Sequence, residues 1–354
     1  MKTSAIAFLA ILTLPLGAQT SETDERLQRF LERFPASDAD KDGVLTRDEV
    51  RAFNRTRRAD QPRPDRAPAP KPTHADVSYG DHPQQAFDIW LAKRDDGKPA
   101  PLCIFIHGGG FRGGDKRSVP KTVIDRFLRE GISFASMNYR LTNGGEFPYP
   151  TAMHDAARGL QFIRSRAKEW NLDPDRIASF GGSAGAGISL WLAFHDDLAD
   201  PDSDDPVARQ STRLVAAGTT GGQSTYDMRT FREWFGVPDL KPHDALVDFY
   251  AMKEDETPDT PRVAKLAEDA SPITHLTADD VPVHMSYNRP NTPVTAKTGQ
   301  GEWVHHALLG LKLQEAMKKL GLECIVVHPG LKDETYPDLP AFLIAKLTAA
   351  TEKE

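Results

Sequence analysis

Short apolar runs alternate along the chain with longer stretches whose apolar residues recur at helical spacing. The strand-like runs include Pro101–Ile106, Ile132–Met137, Arg176–Phe180 and Cys324–Val327. The helix-like stretches include Ala156–Trp170 and Ala307–Leu320. Alternation of this kind predicts an α/β fold, a doubly wound and mostly parallel sheet with helices packed on it. Functional sites in such sheets lie at the carboxyl ends of the strands, so the residues after each apolar run are the first candidates.

The segment Gly181–Gly185, with the sequence GGSAG, fits the pattern G-x-S-x-G. It follows the strand-like Arg176–Phe180 and precedes the helix-like Ala186–Leu192. In this context a serine sits on a strained turn at the end of a strand, and flanking glycines avoid clashes with the neighbouring chain. Ser183 is therefore the candidate nucleophile.

A second glycine motif, His107–Gly110, directly follows the strand-like Pro101–Ile106. Acyl transfer places negative charge on a carbonyl oxygen, and backbone N–H groups aimed at that oxygen stabilise it. An HGGG loop after a strand is a common source of such donors in lipases and esterases. The predicted oxyanion hole consists of Gly108, Gly109 and Ala184, the residue that follows Ser183.

With these motifs in this order, the chain resembles the esterase/lipase group of the α/β-hydrolase fold. The resemblance is carried by HGGGFRGGDK and NLDPDRIASFGGSAGAG, and it is specific from about Asp76 to Asp205. The most similar branch is the one related to bacterial feruloyl and acetyl esterases, close to hormone-sensitive-lipase-like enzymes. The resemblance implies an eight-stranded, mostly parallel sheet and serine-dependent hydrolysis of a small carboxylic ester, with acetyl or feruloyl groups on polysaccharide as the implied substrates.

The chain departs from this family where the other two members of the catalytic triad are expected. Asn291 falls where the family carries its aspartate after the seventh strand, and Asp333 falls where it carries its histidine after the eighth. No histidine follows His328 in the sequence. An asparagine lacks the charge that stabilises an imidazolium, and an aspartate is a poor base for a serine hydroxyl.

Two hypotheses follow from this departure. In the first, the triad is rebuilt from Ser183, His306 and Asp227, with His305 as the nearest competitor for the base. In the second, the domain is a degenerate hydrolase that acts as a non-catalytic, calcium-dependent binding or scaffold protein. A histidine ring nitrogen within about 6 Å of Ser183, twice the usual hydrogen-bond reach, favours the first hypothesis.

Near the N-terminus, residues 38–49 fill the twelve-residue EF-hand pattern D-x-D-x-D-G-x5-E. Calcium prefers six to eight oxygen ligands. The candidate ligands are the carboxylates of Asp38, Asp40 and Asp42, the carbonyl of Val44, Thr46, which often acts through water, and the carboxylate of Glu49. We therefore expect a helix-loop-helix module over residues 22–56 that binds one calcium ion. EF-hands usually occur in pairs, so this single loop is expected to pack on the hydrolase domain or on a second copy of the chain.

Composition sets the remaining expectations. Residues 1–18 combine Lys2, an apolar stretch and Ala18, which is typical of a cleavable signal peptide and predicts export. No later segment is expected to span a membrane. Residues 57–73 form a proline- and arginine-rich linker, and residues 74–354 form the hydrolase domain. The formal net charge of −7 gives no support to nucleic-acid binding.

Overall fold

The computed structural model of the chain describes residues 20–21, 25–46, 49–50, 52–53 and 70–349. The chain divides into two units, residues 1–69 and 70–354. The predicted signal peptide, residues 1–18, and residues 57–69 of the predicted linker lie outside the described residues.

The larger unit is built on one eight-stranded sheet. Its strands are β1 (His74–Ser78), β2 (Ala86–Trp90), β3 (Ala100–Ile106), β4 (Ser133–Met137), β5 (Leu172–Gly182), β6 (Ala216–Thr220), β7 (Val283–Ser286) and β8 (Cys324–Val327). The strand order is β1-β2-β4-β3-β5-β6-β7-β8. The strand β2 pairs antiparallel with both neighbours, whereas the pairs from β4 through β8 are parallel. The expected eight-stranded, mostly parallel sheet is confirmed.

Helices connect these strands, as the sequence pattern predicts. After α1 (Glu25–Arg33) in the N-terminal unit, they are α2 (Lys121–Arg129), α3 (Thr151–Ser165), α4 (Ala184–Phe194), α5 (Met228–Phe235), α6 (Ala245–Phe249), α7 (Pro261–Ala270), α8 (Gln300–Trp303), α9 (Ala307–Lys319) and α10 (Leu339–Thr348). The helix α4 is buried along its whole length because nearly all of its residues are apolar or small. The helix predicted over Ala156–Trp170 begins earlier, at Thr151, and ends at Ser165.

The carboxyl ends of the central strands bring four loops together. The strands β3, β5, β6 and β7 are consecutive neighbours in the sheet, and the three pairs that they form are parallel. The sheet therefore places His107–Gly110, Ser183, Gly221 and the segment after β7 along one edge. The two cysteines are unpaired, with Cys103 buried in β3 and Cys324 partly buried in β8.

The N-terminal unit carries helical residues on both sides of its acidic loop. The helix α1 precedes the loop, and residues 49, 50, 52 and 53 are helical after it. The rings of Phe30, Phe34 and Phe53 contact one another, with centroids 5.0 to 6.2 Å apart. Aromatic contacts across the loop hold the two flanking segments together. Among the residues described in either unit, no helix is long and apolar enough to cross a bilayer.

Candidate active site

The serine of the GGSAG segment sits on a strained turn between β5 and α4. Ser183 has φ 51° and ψ −118°, a combination that residues with a side chain rarely adopt. The turn is tight because Gly181 and Gly185 both approach the end of β3, where an added Cβ would overlap the carbonyl oxygen of Ile106. The side chain of Ser183 is partly exposed and lines the cavities described below.

The HGGG loop lies beside this turn, at the end of the neighbouring strand β3. Gly109 has φ 123°, and a Cβ there would overlap the carbonyl of Gly113, so only glycine fits the backbone path. Gly108 runs next to Gly182 and Ser183, and Ala184 is the first residue of α4. The first N–H groups of a helix have no partner within the helix, so the N–H of Ala184 is available to an oxyanion.

A histidine contacts the serine, and it is His305. Its Nε2 lies 2.8 Å from the Oγ of Ser183. Its Nδ1 lies 2.9 Å from the carbonyl oxygen of Gly301, and a carbonyl only accepts hydrogen bonds. The proton is therefore assigned to Nδ1, which leaves the Nε2 lone pair facing the serine hydroxyl. This is the tautomer that a general base requires.

The prediction of His306 as the base is corrected by this geometry. His306 is the N-cap of α9, and its Nδ1 accepts a hydrogen bond from the N–H of Leu308 at 3.1 Å. Its Nε2 donates to the carbonyl of Thr292 at 2.7 Å, and its ring packs edge-on against Phe235. Both ring nitrogens of His306 are therefore occupied by groups other than Ser183.

The prediction of Asp227 as the acid is corrected as well. Asp227 is the N-cap of α5, and its carboxylate accepts hydrogen bonds from the N–H and the guanidinium of Arg229 at 2.5 to 3.0 Å. Among the described residues no hydrogen bond joins it to a histidine. Asn291 is exposed, and the carboxylate of Asp333 accepts from the backbone N–H groups of Thr335 and Tyr336. The group that orients His305 is thus the carbonyl of Gly301.

Sequence comparison decides the family. The sequence model of the BD-FAE family matches residues 87–300, more than half of the chain. The chain belongs to the BD-FAE family. The match contains the HGGG loop and Ser183, and it ends five residues before His305.

Esterases are among the proteins similar to this BD-FAE chain. LipM of Mycobacterium tuberculosis, a probable carboxylic ester hydrolase, is 28% identical over 230 residues, which cover 64% of this chain and 50% of LipM. An acetyl ester-xyloside bifunctional hydrolase from Caldicellulosiruptor lactoaceticus has a TM-score of 0.52 at 23% identity, over 69% of this chain and 76% of that one. An esterase from Thermogutta terrifontis, Est2, has a TM-score of 0.52 at 21% identity, over 75% of this chain and 82% of that one.

This chain spans about half the length, or less, of the first curated relatives. The structural neighbours share its fold. The likeness to LipM and the contact between Ser183 and His305 make the larger unit a serine hydrolase domain of the carboxylic ester hydrolase type.

In the BD-FAE domain, contacts of Gln223 and Trp303 hold the segment that directly precedes His305. The side-chain amide of Gln223, in the loop after β6, donates to the carbonyls of Val304 and Gly221, both at 2.8 Å. The buried ring of Trp303 packs edge-on against Phe231, with centroids 5.0 Å apart. Sequence reasoning missed Gln223 and Trp303. The available signals were their positions, since Gln223 comes just after a strand and Trp303 lies two residues before His305.

Two cavities meet at Ser183 and His305. The smaller has a volume of about 300 Å³ and contains Gly109 and Ala184 together with the apolar side chains of Phe111, Tyr226, Phe231, Leu246 and Trp303. The larger has a volume of about 710 Å³ and lies on the other side of Ser183, between the ends of β5 to β8 and the start of α10. A substrate centred on Ser183 therefore has room on both sides of its ester bond.

His107, which begins the HGGG loop, is expected to make stability depend on pH. Burial lowers the pKa of His107 from 6.5, against the opposing effect of the Gly108 carbonyl. Below about pH 6.5 the unfolded chain therefore binds more protons than the folded one, and stability falls as the pH decreases. We expect the Tm to drop between about pH 7.5 and about pH 5.5, and to drop less in a His107→Phe variant that keeps stacking on Tyr139. Equal drops in the two proteins, measured by calorimetry, would contradict this expectation.

Proposed function

We propose that this protein hydrolyses a carboxylic ester through Ser183 as the nucleophile and His305 as the general base and acid. The observation that carries the proposal is the 2.8 Å contact between the Oγ of Ser183 and the Nε2 of His305. This distance supports the hydrolase hypothesis, since a base must lie within hydrogen-bond reach of the proton that it removes.

In the first half of the reaction, His305 Nε2 takes the proton of Ser183 as the Oγ bonds to the acyl carbon. The carbonyl oxygen becomes an oxyanion, which accepts hydrogen bonds from the N–H groups of Ala184 and of Gly108 or Gly109. The tetrahedral intermediate then collapses. The bond to the alcohol oxygen breaks, that oxygen takes the proton from His305, and Ser183 holds the acyl group as an ester.

In the second half, a water molecule replaces the alcohol. His305 removes a proton from the water as its oxygen bonds to the acyl carbon, and the same donors hold the second oxyanion. When this intermediate collapses, the Oγ of Ser183 leaves and takes the proton back from His305. The products are a carboxylic acid, an alcohol and the free enzyme.

The carbonyl of Gly301 carries out one of the two tasks of the usual triad carboxylate. It fixes the tautomer and the ring orientation, because it accepts the Nδ1–H bond at 2.9 Å. It carries only a partial charge, so it stabilises the imidazolium less than a carboxylate does. The enzyme is accordingly expected to turn over more slowly than an enzyme with a complete triad.

We further propose that the substrate is an ester in which a small acyl group, acetyl or feruloyl, is attached to a polysaccharide outside the cell. Family membership supports this substrate class, and structural neighbours include the acetyl ester-xyloside hydrolase and a carbohydrate esterase from gut microbiota. The expected signal peptide supports export.

The test uses the full chain, 4-nitrophenyl acetate and a fluorophosphonate that reacts with activated serines. We expect turnover of the ester and one phosphonyl adduct per chain, which peptide mass spectrometry should locate at Ser183. A folded protein that gives neither turnover nor adduct would contradict the proposal and favour the alternative, a non-catalytic binding protein.

We also propose that residues 38–49 form an EF-hand loop that binds calcium. Carboxylate oxygens of Asp38, Asp40 and Asp42 lie within 4.8 Å of one another, and the Oδ1 of Asp38 is buried with no partner among the described residues. Carboxylates at this separation repel one another, and a hard divalent cation removes the repulsion. Asp38, Asp40, Asp42 and Glu49 would supply carboxylate oxygens, Val44 its carbonyl, and Thr46 a contact through water.

Calorimetry on the full chain is expected to show about one calcium site, weakened roughly tenfold or more in Glu49→Gln. In the structure the Glu49 carboxylate accepts from the N–H groups of Ala39 and Thr46, and so it already lies at the loop. The exposed Glu130, in the other unit, provides the matched control Glu130→Gln, which should bind calcium like the parent. Equal affinity in parent and Glu49→Gln would contradict the ligand assignment.

We further propose that the single loop pairs with the loop of a second copy of the chain. Sedimentation with and without calcium tests this pairing.

A further inference from the structure

The larger cavity lies on the leaving-group side of Ser183. Of the N–H donors, Gly109 and Ala184 line only the smaller cavity and Gly108 lines only the larger one, whereas Ser183 and His305 line both. An acyl group whose oxygen is held by the N–H groups of Gly109 and Ala184 extends into the smaller cavity. The alcohol lies on the other side of the ester bond from the acyl group, so it extends into the larger cavity, which His305 also lines.

The loop after β8 folds back on itself beside this space. The backbone of His328 pairs with that of Leu331 in a tight turn, and Asp333 is held by the N–H groups of Thr335 and Tyr336. Residues 337–340 then form the far wall of the cavity. The loop that carries the catalytic histidine in similar enzymes is thus a wall of a binding space in this chain.

A buried polar side chain without a partner lies at this cavity. His284, on β7, is 0% exposed, and neither of its ring nitrogens has a hydrogen-bond partner among the described residues. Burial lowers the pKa of His284, so the ring is neutral near pH 7 and offers one donor and one acceptor. A buried polar group left unpaired is destabilising, which favours a ligand group or a bound water as the partner of the His284 ring.

The other lining groups suit a ring with hydroxyl groups. Phe105 and Phe180 provide aromatic surface, and Pro120, Pro337 and Pro340 provide flat apolar surface. Ser286, Asn288 and Arg289 add polar side chains at the carboxyl end of β7. Rings that carry hydroxyl groups on their edges and C–H groups on their faces match both kinds of surface.

We propose that the larger cavity binds the alcohol part of the ester, a ring with several hydroxyl groups, and that His284 selects it by hydrogen bonding to one hydroxyl directly or through one water. This inference rests on the proposed function. It adds a site and a specificity residue that the catalytic machinery does not require.

The experiment compares two acetate esters of the same shape, methyl 6-O-acetyl-glucoside and cyclohexylmethyl acetate. We expect the parent to prefer the sugar ester, and His284→Leu to lower the ratio of the two kcat/KM values by about tenfold, mainly through KM. His328→Leu is the matched control, because His328 lies in the loop after β8 and does not line the cavity. This control should keep the ratio of the parent. An unchanged ratio in His284→Leu would overturn the inference.

A stability measurement separates a binding role of His284 from a structural one. Leucine fills similar space and removes an unpaired polar group, so the Tm of His284→Leu should equal or exceed that of the parent. A lower Tm with an unchanged ratio of the two kcat/KM values would show that His284 has a structural role.

Calorimetry tests binding in the cavity without turnover. It compares the binding of methyl glucoside to Ser183→Ala and to the same variant carrying His284→Leu. Binding that the second change weakens supports the cavity even if the parent hydrolyses no ester, and no binding in either variant would count against it.

Discussion

Ser183→Ala is expected to lower kcat/KM for 4-nitrophenyl acetate by at least about 10³-fold, to a rate near that of the protein-free reaction. The substitution removes the hydroxyl that the strained turn presents to His305. The N–H donors remain, so a residual acceleration by the oxyanion hole is the most that the variant retains. The measurement is release of 4-nitrophenolate at several enzyme concentrations.

A second serine on the same strand provides the matched control. Ser179 lies four residues earlier in β5, and its buried hydroxyl has no hydrogen-bond partner among the described residues. Ser179→Ala should therefore keep the parent activity, with stability unchanged or slightly higher. Full activity in Ser183→Ala, or an equal loss in the two variants, would contradict the assignment of the nucleophile.

The strain at Ser183 gives an independent readout. Its φ of 51° is favourable only for glycine at this ψ, so Ser183→Gly should relieve strain on the order of 1–2 kcal/mol that Ser183→Ala retains. Both variants should be inactive, but the glycine variant should have the higher free energy of unfolding. Denaturant unfolding curves measure this difference, and equal stabilities would show that the turn stores no strain.

Local patterns predicted the framework of the fold because each pattern reports on its own segment. The apolar run before the HGGG loop is β3, and the one before GGSAG lies within β5. The helix predicted over Ala307–Leu320 ends one residue earlier, at Lys319. The predicted C-terminal end of α3 was wrong because the apolar spacing continues into the turn after Ser165, where the chain is no longer helical.

The partner of Ser183 was harder to predict, because adjacent residues at a helix start point in different directions. His305 and His306 have the same chemistry and differ by one position. The choice between them depends on which residue caps α9, and His306 does so with its own Nδ1. Asp227 follows β6 as an orienting acid should, but its carboxylate caps α5. The group that does orient His305 is a backbone carbonyl, which has no signature in a sequence.

His305→Ala is expected to lower kcat for 4-nitrophenyl acetate on the order of 10³-fold or more, because no other base among the described residues contacts the hydroxyl of Ser183. KM should change little, since the walls of both cavities remain. His306→Ala is the matched control on the neighbouring residue. It should lose about 1 kcal/mol of stability with the N-cap of α9, and its kcat should stay within a fewfold of the parent value.

The same pair of variants decides whether the domain uses a relocated base. If His306→Ala abolished turnover while His305→Ala did not, His306 would be the base and the assignment of His305 would be wrong. The helix α9 would then have to begin differently in solution. If neither variant lost activity, the hydrolysis would not proceed through either histidine.

Asp227→Asn tests the assignment of the orienting group. It should weaken the contact with Arg229 and lower stability, but a loss of kcat comparable to that of His305→Ala would restore Asp227 as the acid. The hydrogen bond from Nδ1 to Gly301 predicts that no such loss occurs, because the tautomer of His305 is already fixed without a carboxylate.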